Sequence, residues 1–149
     1  MEIINNYEEI DKIVKDSNFQ IIKVCLIGID NTGKTSFLDR ILSRNSFKTY
    51  KESIQGKISS TSAQYYQILV KYKGKLFKLE LWDTAGQLKY FPLTRIFYKE
   101  AHVILNFYDP FNEESFEYIK NCFKNVNELN SLFLCKYIII KNKYDLNEI

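Results

Sequence analysis

Apolar residues along this 149-residue chain follow two rhythms. Short runs that are apolar at nearly every position alternate with stretches in which apolar residues recur every three to four positions. Ile21-Ile22-Lys23-Val24-Cys25-Leu26-Ile27 is the first run, and its β-branched content predicts a buried strand. Thr35 to Ser43 carries Phe37, Leu38, Ile41 and Leu42 on one side, the pattern of a helix with one apolar face. Tyr65 to Tyr72 alternates, so Tyr66, Ile68, Val70 and Tyr72 share a face. Lys73-Gly74-Lys75 turns the chain, and Phe77, Leu79 and Leu81 mark the return strand of a hairpin. Val103 to Tyr108 and Tyr137 to Ile140 predict two further buried strands. Asn112 to Leu129 predicts a helix, with Asn112 as N-cap and Glu113 and Glu114 in the first turn.

The segments between are less periodic. Residues 7–18 set Tyr7, Ile10, Ile13 and Val14 at helical spacing among Glu, Asp and Lys. This reads as a short amphipathic helix, packed on the domain or lying on a membrane. Residues 1–20 are therefore expected to be an N-terminal extension to a domain spanning 21–149. Ser43 to Ala63 is polar and reads as a long connection, and Gly86 to Phe97 as a loop with some helix. Strands alternating with helices imply an α/β domain, a mostly parallel sheet covered on both faces, with one antiparallel hairpin strand. Ligands of such sheets sit at the carboxyl ends of the strands.

Composition narrows the picture. A hydrophobic fraction of 46% excludes a disordered chain, and this length can bury a core without disulfides. The net charge of +3, with no basic run, gives no footprint for nucleic acid. Cys25, Cys122 and Cys135 are widely spaced and form no C-x-x-C pair, so buried, reduced thiols are expected. No apolar run approaches membrane-spanning length. Glu2 stands where myristoylation needs Gly, and no cysteine ends the chain. The expectation is a cytoplasmic monomer without its own membrane anchor.

Three segments carry chemistry, each following a strand. Gly28-Ile29-Asp30-Asn31-Thr32-Gly33-Lys34-Thr35 fits the phosphate-cradling pattern G-x-x-x-x-G-K-S/T between a strand and a helix. Its glycines let backbone N–H groups wrap a phosphate tail, and the helix N-terminus adds positive charge. Lys34 would bridge the β- and γ-phosphates, Thr35 would offer its hydroxyl to Mg²⁺, and Ser36 would sit at the α-phosphate. In Trp82-Asp83-Thr84-Ala85-Gly86-Gln87, Asp83 can hold Mg²⁺ through water, Gly86 can give its N–H to the γ-phosphate, and Gln87 can orient an attacking water. In Asn142-Lys143-Tyr144-Asp145, the Asp145 carboxylate can accept both guanine donors, N1–H and the 2-amino group. Adenine lacks that donor pair and would leave the carboxylate unpaired. The Lys143 stem can lie along the base, and Asn142 can tie this loop to the phosphate loop. His102, the single histidine, opens a strand and reads as structural.

In that order the motifs resemble those of a small GTPase of the Ras superfamily, and most closely its Rab family, from about Ile21 to Leu146. Trp82 to Gln87, Phe97-Tyr98-Lys99-Glu100-Ala101-His102, Tyr108-Asp109 and Glu114-Ser115-Phe116 follow the Rab pattern. The resemblance implies a P-loop NTPase three-layer sandwich that binds GTP or GDP with Mg²⁺. Catalysis would fall to Gln87 and Lys34. The nucleotide would contact Asp30, Asn31, Thr32, Gly33, Lys34, Thr35, Ser36, Phe47, Gly86, Asn142, Lys143 and Asp145, with Phe47 stacked on the base. The metal would be held by Thr35, Asp83 and a hydroxyl from the first switch. The resemblance further implies effectors, an exchange factor and a GTPase-activating protein as partners, and a role in vesicle transport. Tyr65, Trp82 and Phe97 occupy the positions of the effector-reading aromatic triad, which equally fit sheet packing.

The chain departs from the family pattern in four places. Asp30 stands where most Rab and Ras relatives have Gly, Ser or Ala, as in many Arf-like phosphate loops; slow or partner-dependent hydrolysis is expected. The switch hydroxyl is Ser53, Ser60 or Thr61, or absent, because extra residues shift the alignment. The family continues past Leu146 with a last strand, a second guanine-contacting loop and a closing helix, so a C-terminally truncated domain is expected, with Tyr137–Ile140 as an apolar edge. The prenylated tail is missing, so attachment to endomembranes would need a further segment or a partner. A domain retained as a non-hydrolysing interaction module, or a piece of a longer GTPase, is the alternative.

Overall fold

Alternation within the first apolar run decides which side of the sheet each residue faces. In β2 (Gln20–Ile27), Val24 and Leu26 point to one core, while Cys25 and Ile27 point to the other. A strand apolar on both faces belongs at the centre of a sheet with helices on each side. The computed structural model, which describes residues 2–3, 19–44, 63–84, 86, 97–129 and 135–143, places it there. The remaining strands are β1 (Glu2–Ile3), β3 (Gln64–Tyr72), β4 (Lys75–Asp83), β5 (Val103–Tyr108) and β6 (Lys136–Lys141). The sheet order is β1-β3-β4-β2-β5-β6. Strand β2 runs parallel to β4 and β5, with Cys25 opposite Trp82 on one side and Ile104 on the other. Strands β5 and β6 are also parallel, so β3 alone runs against the rest, as the sequence implies.

Among the described residues, two helices divide the two faces. Helix α1 (Lys34–Arg44) sends Leu38 and Leu42 into a core with Val24, Leu26, Tyr66, Ile68, Val70, Leu81 and Phe107. Phe37 meets Phe107 edge to face at 5.1 Å, which seats the start of α1 against the middle of the sheet. Helix α2 (Glu113–Leu129) sends Tyr118, Cys122 and Val126 to the opposite core with Cys25, Ile27 and Ile104. The result is the three-layer α/β sandwich expected from the sequence.

Local chemistry explains the element ends. Lys73 (φ 48°) and Gly74 (φ 74°) form a two-residue turn with both φ angles positive, the geometry that matches strand twist in a tight hairpin. Tyr72, placed on the buried face by alternation, is 48% exposed because it lies beyond the core at the hairpin tip. Asn112 caps α2, its Oδ1 accepting the Ser115 N–H at 3.4 Å. His102 is structural: its Nδ1 accepts the Lys23 N–H at 3.1 Å, and its backbone bonds Lys23 and Lys136. Cys25 and Cys122 are free and buried, their thiols pushed up by burial to about 12 and about 11. Cys135 is half-buried rather than buried.

Strand β1 answers to no periodic signal in the sequence; two residues pair with Val70 and Lys71. The helix read over residues 7–18, most of the Ser43–Ala63 connection and residues 87–96 lie outside the described residues. Among the described residues no helix is long and apolar enough to cross a membrane. Also among these residues, β6 is the edge strand opposite β1, with Ile138 47% and Ile139 54% exposed.

Candidate nucleotide site

Three parallel strands end on one rim of the sheet and deliver the site. Strand β2 runs into the glycine loop, β4 ends at Asp83, and β6 leads to Asn142. The loop turns through two positive-φ glycines, Gly28 (φ 143°) and Gly33 (φ 90°), and through Asn31 (φ 63°), a residue type that tolerates this conformation. Thr32 is wholly buried and closes the loop on itself, its hydroxyl donating to the Ile29 carbonyl at 2.8 Å. The Phe37 N–H donates to Gly33 O at 2.9 Å, so α1 begins directly from the loop. No acidic residue occupies the first turn of α1 itself.

Lys34 is only 6% exposed. Its ammonium donates to Gly28 O at 2.8 Å and Ile29 O at 3.0 Å. Burial lowers its pKa, and the charges of Asp83 and Asp30 oppose that shift. Burial likewise raises the Asp83 pKa against the Thr35 hydrogen bond and the Lys34 charge. Burial pushes both groups toward neutrality, so each would be favoured in its charged form by an oppositely charged neighbour.

The residues fit a divalent cation. Thr35 Oγ1 donates to Asp83 Oδ2 at 2.6 Å, while Asp83 Oδ1 is buried without a hydrogen-bond partner. An orphaned carboxylate oxygen beside a hydroxyl is the pair a hard cation takes, completed by water and phosphate oxygens. Among the described residues no cluster of three or more His, Cys, Asp or Glu is placed to hold a metal ion.

The other rim residues fall into register. Gly86 is buried against the phosphate loop, its carbonyl accepting the Asp30 N–H at 3.1 Å. A Cβ on Gly86 would lie 2.5 Å from Asp30 N and 2.7 Å from Asp30 Oδ1. Asn142 ties the base loop to the phosphate loop, Nδ2 donating to Thr32 O at 2.8 Å, and its N–H donates to Tyr108 O at 3.1 Å. Asn31 and Ser36 are placed within the loop and first helical turn and are exposed. Phe47, Ser53, Ser60, Thr61, Gln87 and Asp145 lie outside the described residues.

Two contributors had no role assigned from the sequence. Thr84 follows Asp83 and fastens the end of β4, its hydroxyl donating to Leu26 O at 2.8 Å. Asp109 receives the Lys143 ammonium at 2.6 Å. The signal for Asp109 was its place in an Asp-Pro turn with Ser115 six residues on, an Asx-type pattern. The Lys143 hydrogen bond is the main cause holding the Asp109 carboxyl below its ordinary value of 3.8. A carboxyl with a depressed pKa stabilises the fold above its unfolded value and loses that contribution as pH falls through its folded value. Asp109→Asn should therefore lower the melting temperature by about 2 °C at neutral pH. Melting curves of the two proteins should converge well below pH 3.8; a gap that persists in acid would show that the ion pair is not its source.

The aromatic positions also converge. Tyr65 and Trp82 meet as tilted rings at 4.7 Å, Trp82 and Phe97 likewise at 5.6 Å, and the Lys23 ammonium lies 5.5 Å from the centre of the Trp82 ring. Trp82 Nε1 is buried without a hydrogen-bond partner.

A mostly parallel α/β sheet with a lysine-bearing glycine loop, a hydroxyl–carboxylate pair beside it and a third loop tied across defines a P-loop fold of the small-GTPase type. The family model for Roc (Ras of Complex, Roc, domain of DAPkinase) matches residues 23–145. The chain is 37% identical over 128 residues to Ras-related protein Rab-8 of Diplobatis ommata, covering 86% of this chain and 57% of that protein. It is 35% identical over 128 residues to human Ras-related protein Rab-8B, covering 86% and 58%. With Ras-related protein Rab-8A of Rattus norvegicus it shares 33% identity over 129 residues, with the same coverages as Rab-8B. The chain belongs to the Ras superfamily of small GTPases and is Rab-like. It spans less than two thirds of the length of these relatives.

Proposed function

We propose that this chain binds GTP and GDP with Mg²⁺ as a molecular switch and hydrolyses GTP. The observation that carries this reading is the grouping of buried Lys34 and buried Asp83 with the Thr35 hydroxyl, which bonds Asp83 Oδ2 while Asp83 Oδ1 stays buried without a partner. Lys34 would take the β- and γ-phosphates as a fixed point charge, and the loop amides would hold the rest of the tail. Bound Mg²⁺ would neutralise charge on the phosphate oxygens; Thr35 and Asp83 would hold it, with Thr61 as the switch ligand. Gln87 would orient water in line with the γ-phosphorus, and Gly86 would read the γ-phosphate through its N–H. Phe47 would cover the base, and Asp145 would select guanine.

By family likeness the switch would serve vesicle transport through effectors, an exchange factor and a GTPase-activating protein. The Tyr65, Trp82 and Phe97 cluster would be the effector surface. The chain itself would be monomeric and cytoplasmic, meeting endomembranes through a partner or a further segment.

Titration calorimetry with Mg²⁺ and GTP, GDP or ATP tests this. GTP and GDP should bind, and ATP at least about a hundredfold more weakly. No heat with any of the three would refute the switch reading, and equal ATP affinity would refute the role of Asp145.

The position of Asp30 favours a second reading, a module that binds but does not turn over. Its amide holds Gly86 and its carboxylate oxygen lies over the same residue, so a γ-phosphate reaching Gly86 meets a like charge. Asp30→Gly should raise the single-turnover hydrolysis rate by about tenfold. An unchanged rate in that variant, fast or slow, would clear Asp30 of this role.

A further inference from the structure

Lys143 adopts the left-handed region (φ 56°), where a long side chain does not settle unaided. The residue before it is doubly fixed, to Thr32 and Tyr108. The Lys143 ammonium reaches Asp109 Oδ2 at 2.6 Å, with side-chain exposures of 29% for Lys143 and 13% for Asp109.

Asp109 is itself built into the start of α2. Its Oδ1 accepts the Phe111 N–H at 2.9 Å, and its own N–H donates to Ser115 Oγ at 3.0 Å. Ser115 is wholly buried, and its hydroxyl proton lies between the carbonyls of Asp109 and Asn112, at 2.9 and 2.7 Å. One carboxylate oxygen thus serves the helix cap, and the other is aimed at the base loop. The cap ties Asp109 through its N–H, its carbonyl and Oδ1, so Oδ2 is presented to the lysine from a fastened residue.

We propose that Asp109 is a positioning residue for guanine-nucleotide binding: it holds the Lys143 ammonium so that the lysine stem lies as a fixed rail along the purine. This rests on the guanine-site reading above. A lysine held in place beforehand loses no rotamer freedom when the base arrives, whereas a free one does. The effect therefore falls on how long the nucleotide stays.

Asp109→Asn isolates the link. Asn retains an oxygen for the Phe111 N–H, so the turn survives while the charge partner of Lys143 is lost. Lys143→Met tests the same link from the other end, keeping an unbranched apolar stem without the ammonium. Release of a fluorescent mant-GDP, followed by stopped flow, should accelerate about tenfold in either variant. The double variant should release no faster than Lys143→Met alone, because Asp109 acts only through that ammonium. Release from Asp109→Asn at the unmodified rate overturns the proposal. So does a further acceleration on adding Asp109→Asn to Lys143→Met, which would mark a structural role for the cap. If the unmodified chain takes up no mant-GDP, the guanine-site reading fails first and the positioning role falls with it.

Discussion

Lys34→Ala is expected to lower guanine-nucleotide affinity by at least about a hundredfold, the cost of truncating one partner in a buried, hydrogen-bonded charge arrangement. The side chain is enclosed by the loop whose carbonyls it bonds. Burial works against its charge, and Asp83 and Asp30 sustain it. A polyphosphate would sustain it further, so much of the electrostatic reward for binding is concentrated on this atom. Removing it also leaves Asp83 opposed only by Thr35, with its pKa already raised by burial. The cation pair should weaken together with the phosphate contact. Lys34→Arg should not rescue, because a planar guanidinium cannot fit a pocket shaped around a compact ammonium. Calorimetry with GDP and Mg²⁺ is the measurement, with a thermal melt to confirm folding. A folded Lys34→Ala variant that binds GDP as tightly as the unmodified chain would remove the loop from the site.

The parts of this fold that could be read from the sequence are those set by local pattern. The Ile21–Ile27 run is apolar on both faces, and the structure puts it between two parallel neighbours. The glycine loop was legible because phosphate chemistry requires residues at fixed spacing within eight positions. The Lys73-Gly74 turn was legible because few residues accept positive φ at such a tip. What escaped depends on pairing across distance. Strand β1 exists through two residues of partner backbone and has no rhythm of its own. Asp109 and Lys143 are separated by 34 positions, and only the parallel pairing of β5 with β6 brings their following loops together. Tyr72 kept the rhythm of its strand yet lies exposed, because alternation tells which face a residue takes but not where the core stops.

Gly28→Ala should be the most destabilising single change in the loop. Gly28 sits at φ 143°, and a Cβ there would lie 2.5 Å from the Phe107 carbonyl oxygen and 2.9 Å from Thr32 Oγ1. Neither obstacle can step aside cheaply. Phe107 is a wholly buried residue near the end of β5, paired to Ile140 of β6, and its ring is packed against Phe37. Thr32 is wholly buried and committed to Ile29. The methyl must therefore push β2 and β5 apart or tilt the loop. Overpacking and disfavoured backbone together cost about 3 kcal/mol or more, which for a domain of this size lowers the melting temperature by roughly 10 °C. Gly74→Ala is the matched control: its φ of 74° carries backbone strain, but nothing lies within 4 Å of its Cβ. It should cost only about 1 kcal/mol. Thermal melts of the two variants separate steric from conformational cost, and equal losses would mean that Phe107 yields. Nucleotide binding gives the second readout. Gly28 shapes the ring that holds Lys34, so Gly28→Ala should also weaken GDP binding, whereas Gly74→Ala, at the far hairpin tip, should leave it unchanged.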